Sequence, residues 1–196
     1  MSTDLYSQAL NRFQALFAKA QALDIPEPAA MSLATVGPDG RPSIRTVLLK
    51  TFDARGFVFY TNLHSRKGQQ LHTNPNAVLC FFWQALMQQV LVEGRVQPVN
   101  DAEADAYWAT RERMSQIGAW ASRQSEVLPE RTLLEKRYME FEQRFAGQLV
   151  PRPEHWSGYR LQPQTIEFWQ SRPGRLHERE RYFIEHGGWQ RQFIYP

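Results

Sequence analysis

The chain has 196 residues, of which 42% are hydrophobic, 13% aromatic and 22% charged, enough to bury a full core without disulfide or metal staples and outside the composition of disordered or fibrous chains. Its longest apolar runs, such as Val78 to Trp83, fall far below the roughly 18 residues a membrane-spanning helix requires. Met1-Ser2-Thr3-Asp4 lacks the basic start of a secretory leader, so a cytoplasmic location is expected. The single cysteine, Cys80, excludes an internal disulfide and is expected to be a small buried hydrophobe. A net charge of +3 favours anionic partners without choosing between nucleic acid and phosphorylated small molecules. Arginine outnumbers lysine 19 to 4; arginine is the better bidentate phosphate ligand, although a GC-rich genome would give the same bias.

In chain order, apolar residues from Leu5 to Leu23 recur at three- and four-residue steps and predict an amphipathic helix, stopped by Asp24-Ile25-Pro26-Glu27-Pro28. The period then changes. Ala30 to Val36, Pro42 to Lys50, Phe57 to Thr61, Ala77 to Trp83 and Gln88 to Pro98 are short runs rich in β-branched and aromatic residues. The tight turns Gly37-Pro38-Asp39-Gly40 and Asp53-Ala54-Arg55-Gly56 point to an antiparallel meander. Ser65 to Asn74 reads as a short helix, and two further helices are expected from Asn100 or Asp101 to about Arg113 and from Pro129 to Phe145. Strand character returns at Trp156 to Leu161, Thr165 to Gln170, Tyr182 to Glu185 and Trp189 to Ile194, with a hairpin turn at His186-Gly187-Gly188. The sum is a mainly β, α+β chain: eight or nine antiparallel strands in a closed or nearly closed barrel, one domain over residues 1–196, with residues 1–27 as helix and linker.

The chemistry is easier to exclude than to name. No Gly-x-Gly occurs, which removes the dinucleotide and P-loop fingerprints; the five histidines and one cysteine lack metal-ligand spacing, so no metal is expected; and no nucleophile elbow is present. Hard chemistry here would come from an organic cofactor. Three clusters stand out. In Arg45-Thr46-Val47-Leu48-Leu49-Lys50 the central apolar residues would alternate between two buried faces, with the charges at the rim, where they could cradle an anion. Tyr60-Thr61-Asn62-Leu63-His64-Ser65-Arg66-Lys67 gathers cations and hydroxyls at a strand-to-helix junction that favours phosphate, with solvated helix-surface charges as the plainer explanation. Tyr107-x-x-x-Arg111-x-x-x-Ser115 puts Tyr and Arg on one helical face with Ser115 at the helix end; a surface stack of Arg on Tyr would look the same.

Seven segments in this order and spacing carry a specific likeness: Arg45-Thr-Val-Leu-Leu-Lys50, Phe59-Tyr-Thr-Asn62, Ser65-Arg-Lys67, Ser115-Gln-Ile-Gly-Ala-Trp120, Gln124-Ser125, Ile166-Glu-Phe-Trp-Gln170 and Arg175-Leu-His-Glu-Arg179. From about Pro28 to Gly188 the chain resembles the pyridoxamine 5′-phosphate oxidase family, FMN enzymes that make pyridoxal 5′-phosphate. The resemblance implies an FMN-binding split barrel, a homodimer with active sites at the subunit interface, a phosphorylated pyridine as substrate, and neither a nucleic acid nor a membrane as partner. It implies FMN ligands at Arg45, Thr46, Val47, Leu48, Leu49, Lys50, Tyr60, Thr61, Arg66, Lys67, Gln89, Gln124, Ser125, Trp169 and Arg179. The substrate phosphate would be held by Lys50, Tyr107, Arg111 and Ser115. Arg175 and His177 would lie against the pyridine ring as the candidate catalytic pair, two polar side chains on one strand face. A phenazine-type oxidase on the same barrel and a basic nucleic-acid-binding barrel are the alternatives. The chain is expected to depart from the family at both ends: family members usually begin with a longer segment that closes over the substrate, which is not expected here, and the usual terminal Arg-Leu-x-Pro is replaced by Phe193-Ile194-Tyr195-Pro196.

Overall fold

A computed structural model describes residues 4–23 and 25–196; Met1 to Thr3 and Asp24, on which the leader and part of the helix-stop expectations rest, lie outside them. The helix α1 spans Leu5–Ala22 and is capped by Asp4, whose carboxylate accepts from the Tyr6 N–H. Its buried residues Ala9, Phe13, Leu16 and Ala20 follow the helical period that the sequence shows. They pack into the mouth of a nine-stranded antiparallel sheet. Phe13 is fully buried, with the rings of Phe52, Phe57 and Phe81 edge-on to it at 4.9–5.0 Å, the arrangement that ring quadrupoles favour. Arg12 and Arg191 both pair with the buried carboxylate of Glu180, and Tyr6 stacks on Trp189 at 4.8 Å. The helix is thereby pinned to the C-terminal hairpin as part of the core.

The strands are β1 (Ala30–Val36), β2 (Pro42–Leu48), β3 (Thr51–Asp53), β4 (Gly56–Asn62), β5 (Asn76–Trp83), β6 (Gln88–Pro98), β7 (Trp156–Gln170), β8 (Glu178–Glu185) and β9 (Gly188–Phe193). Their main path runs β2-β1-β5-β6-β7-β4-β3. Its two ends, β2 and β3, are joined by Leu49 and Lys50 alone, and the Lys50 N–H donates to the Val58 carbonyl on β4 (2.9 Å). The path therefore curls until its ends meet, the nearly closed barrel expected.

The split lies along β7. One edge pairs with β6 throughout, whereas the other pairs with β4 up to Leu161 and with β8 from Thr165 onward. Two strands were expected here, and one 15-residue strand is found. Pro163, which cannot donate to a ladder, sits where the outer edge changes partner, and a bulge at Glu93/Gly94 absorbs the extra residue. A side chain at Gly94 would come within 2.0 Å of the Gln162 carbonyl oxygen.

Several other expectations are corrected. Four helices follow α1: α2 (Arg66–Thr73), α3 (Asp101–Ala109), α4 (Arg113–Ala121) and α5 (Arg131–Arg144). The nine-residue α4 was not foreseen beside the two longer ones expected, because Ser115 and Gly118 weaken its helical signal. Cys80 is half-buried on the β5 face opposite the core residues Leu79 and Phe81. The apolar centre of β2 is not buried on both faces: β2 ends the sheet path, and Val47 and Leu48 are only partly covered. No helix among the described residues is long and apolar enough to cross a membrane.

Candidate functional site

The candidate site grows from the junction where β4 runs into α2. The Ser65 hydroxyl caps α2, accepting from the Gly68 N–H and donating to the Asn62 carbonyl. Gly68 lets the helix start press on the strand end, since a Cβ there would lie 2.1 Å from the Leu63 carbonyl oxygen. This turn folds Lys67 inward. Its ammonium, in a residue only 9% exposed, donates to Thr61 Oγ1 (2.9 Å), Ser65 Oγ (3.1 Å) and Gln124 Oε1 (2.7 Å). All three partners are neutral. Burial first, and then the neighbouring Arg45 guanidinium, push its pKa down to about 8.

Opposite Lys67, Tyr60, Tyr107 and Trp156 form a stack, with Tyr60 and Tyr107 centred 4.1 Å apart. Arg111 lies over the Trp156 ring at 4.7 Å. One of its terminal nitrogens is buried with no hydrogen-bond partner among the described residues, and burial lowers its pKa. The Lys50 ammonium stands 5.8 Å from the Tyr107 ring centre. Between these walls lies a cavity of about 690 Å³, large enough for cofactor-sized ligands.

Of the residues singled out from the sequence, Thr46, Val47, Leu48, Lys50, Tyr60, Thr61, Lys67, Tyr107, Arg111, Ser115 and Gln124 line this one cavity. Both cationic sets, expected as two pockets, thus share a single space. Tyr107, Arg111 and Ser115 do not share a helical face: α3 ends at Ala109, Arg111 lies in the turn and Ser115 in the first turn of α4. The reversal of the chain, rather than helical spacing, brings them together. Asn62, named in the Tyr60–Lys67 cluster without a role of its own, also lines it, as do Glu112 and Trp156, which sequence reasoning missed; Trp156 was legible only as the start of a strand.

The other candidates lie elsewhere. Leu49 is core, and Ser125 borders a neighbouring groove with a left-handed backbone (φ 75°). Arg45 and Arg66 stand beside Lys67, near enough that Arg66 helps lower the pKa of Arg45, where burial is the larger cause. Gln89, Trp169 and Arg179 are register neighbours across β6, β7 and β8. Arg179 is held by Glu167 at 2.8 Å. Arg175 and His177 are not on a strand, since β8 starts at Glu178. Arg175 ends a short 3₁₀ turn with φ 61°, and His177 packs on Trp169 at 4.7 Å while its Nδ1 accepts from the Arg172 N–H. Trp169 and Trp156 stand near opposite ends of β7, roughly 40 Å of strand apart at the usual rise.

A near-closed antiparallel barrel, with a cavity of cations and hydroxyls at a strand-to-helix junction, defines a binder of organic phosphates. Comparison with known proteins narrows the class. The family profile described as pyridoxamine 5′-phosphate oxidase matches residues 16–145, and that of the pyridoxine 5′-phosphate oxidase C-terminal dimerisation region matches residues 156–196. A pyridoxine/pyridoxamine 5′-phosphate oxidase of Myxococcus xanthus is 58% identical over 95% of this chain and 91% of its own length. One of Alkalilimnicola ehrlichii is 55% identical over 98% and 99%. Among solved structures, PhzG of Burkholderia lata, in complex with tetrahydrophenazine-1-carboxylic acid, superposes with a TM-score of 0.90 at 33% identity, covering 95% of this chain and 92% of that one. The chain belongs to the pyridoxamine 5′-phosphate oxidase family. It is an enzyme of a flavoprotein family whose cofactor is FMN, and its donor set fits that cofactor: a buried ammonium with neutral partners and an unpartnered buried guanidinium nitrogen both call for an anion.

Proposed function

We propose that this chain, acting as one unit over residues 1–196 and as a cytoplasmic homodimer, oxidises pyridoxamine 5′-phosphate and pyridoxine 5′-phosphate to pyridoxal 5′-phosphate. FMN, held by the cationic set named below, would supply the hydride acceptor for the substrate's exocyclic carbon, with oxygen as the final acceptor of the two electrons, leaving as hydrogen peroxide; from the amine the product would be an imine, hydrolysed to aldehyde and ammonia. Lys67, Thr61 and Gln124, with Arg45 and Arg66 beside them, form the set suited to the cofactor's phosphate. Lys50, Tyr107, Arg111 and Ser115 form the set suited to the substrate's phosphate. Their common work is to hold the donor carbon about 3–3.5 Å from its acceptor. Arg175 and His177 would orient the ring from a second copy of the chain.

The observation that carries this reading is one shared cavity with cations on both sides and, among the described residues, Glu112 as its one carboxylate lining residue. A phenazine carboxylate would bring the Lys50, Tyr107, Arg111 and Ser115 set one charge and two acceptor oxygens, whereas a phosphate brings close to two charges and three acceptor oxygens, which favours the phosphorylated pyridine for a set of two cations and two hydroxyls. Purified protein should be yellow, release FMN on denaturation, and form peroxide and pyridoxal 5′-phosphate from pyridoxamine 5′-phosphate in air. Protein that is colourless and takes up no added FMN would refute the assignment. Oxidation of an unphosphorylated ring in preference to the phosphorylated one would turn it to the phenazine class.

A further inference from the structure

Gln70 lies one turn beyond Arg66 and Lys67 on α2, is only 6% exposed, and belongs to none of the sets above. Its carbonyl oxygen accepts from the Thr35 hydroxyl (2.6 Å) and the Ser43 hydroxyl (2.8 Å). Each hydroxyl has one proton, and both protons are spent on Gln70, so the oxygen lone pairs face the other way. Arg45 meets those lone pairs: one terminal nitrogen donates to Thr35 Oγ1 (2.7 Å) and the Leu33 carbonyl (3.0 Å), the other to Ser43 Oγ (2.6 Å) and, at 3.4 Å, to the Gln70 carbonyl oxygen itself. One carboxamide thus sets the direction of two hydroxyls, and the hydroxyls grip one guanidinium. The Arg45 Nε–H has no partner among the described residues, and no carboxylate there pairs with Arg45, Arg66 or Lys67.

A carboxylate would grip Arg45 more strongly than a carboxamide does, and it would also cancel the charge. We propose that Gln70 is a positioning residue that orients Arg45 toward the cofactor's phosphate while leaving its charge uncompensated, so that the site selects phosphorylated flavin over flavin without phosphate. This rests on the cofactor reading given above. A residue that merely supported the fold would affect both flavins alike, and this distinction supplies the test.

The experiment titrates the full chain, freed of flavin, with FMN and with riboflavin, for the wild type and for Gln70→Glu, Ser43→Ala and Arg45→Ala. Gln70→Glu preserves size and should keep the thermal midpoint of the flavin-free chain at or above that of the wild type. It should weaken FMN by about tenfold to a hundredfold, the range of one lost charge-assisted contact, and leave riboflavin within about twofold. Ser43→Ala removes one of the two hydroxyls, and carries the test should Gln70→Glu not fold; the preference for FMN should then fall by roughly threefold to tenfold. An unchanged preference in Gln70→Glu, or in Ser43→Ala if that variant has to serve, overturns the inference. Equal losses for FMN and riboflavin overturn it too, as a purely structural effect. Arg45→Ala separates the two levels: if it lowers the preference while the other variants do not, only the role of Gln70 falls, and if it has no effect, the cofactor reading falls with it.

Discussion

Replacing Lys67 by methionine keeps the length of the side chain and removes its charge, with opposite consequences for the empty and the loaded chain. The lowered pKa, about 8 against 10.5, corresponds to roughly 3 kcal/mol by which the folded chain disfavours the ammonium. Methionine recovers that cost and gives up three hydrogen bonds to neutral groups, worth about 1 kcal/mol each. The stability of the flavin-free chain should therefore change by no more than about 1–2 kcal/mol. FMN affinity should fall by about tenfold to a hundredfold, because a charge-assisted phosphate contact has no replacement.

The pH dependence sharpens the test. With its folded pKa below the unfolded one, Lys67 makes the empty chain more stable as pH rises from about 8 toward 10.5, since only the unfolded chain keeps the proton in that window. Binding runs the other way: the phosphate, a dianion well above its second pKa near 6, holds the proton on Lys67. Between pH 7.5 and 9.5 the wild-type affinity should drop by about 25-fold, steepening toward tenfold per unit, whereas Lys67→Met should show no such slope. Calorimetric titration across that range measures both. A flat wild-type profile, or a slope that survives the substitution, would refute the assignment of Lys67 to the phosphate.

Three further outcomes are expected. Arg111→Ala should raise KM for the phosphorylated substrate by about tenfold or more with flavin content nearly unchanged; steady-state kinetics and flavin absorbance on one preparation check this, and flavin loss like that of Lys67→Met would move Arg111 to the other anion. Arg175→Ala and His177→Ala should lower kcat by about tenfold or more while retaining flavin, and the same assays decide it. Phe13→Ala should cost about 3–5 kcal/mol, because three aromatic rings meet edge-on at that side chain; denaturant unfolding measures it, and a loss below about 1 kcal/mol would mean that α1 is not core.

Legibility in the sequence followed the range of the forces. The β6 limits, Gln88 and Pro98, and the inward face of α1 match expectation, because alternation and helical period are local properties. The fusion into β7 was hidden because Pro163 looks like a terminator until its neighbours on both edges are known. Arg175 and His177 looked like strand residues because their alternation is real, yet the left-handed backbone at Arg175 ends any strand there. For the site, spacing alone could not decide between solvated cations and an anion cradle; the ordered likeness to one family favoured the cradle, and it carried no information on Gln70. A buried glutamine in the middle of a short helix gives no sequence signal until β1 and β2 are placed against it.

The placement of the two groups of candidate residues leads to a last expectation. Arg111 lines the cavity near the start of β7, while Arg175 and His177 follow its end, His177 packed on Trp169. If both serve one substrate, a second copy must supply one of them, and the match of residues 156–196 to a dimerisation region puts Arg175 and His177 within the segment that builds such a pair. Two-fold symmetry makes this measurable. In a hybrid of one Arg111→Ala chain with one Arg175→Ala chain, sites shared across the interface would be one doubly altered and one intact. Co-expression with two affinity tags isolates that hybrid, whose rate at low substrate should reach about half that of the wild type, far above either altered homodimer. Sites formed within one chain would each carry one lesion, so a hybrid no better than the homodimers would refute the shared arrangement and return Arg175 to a site of its own.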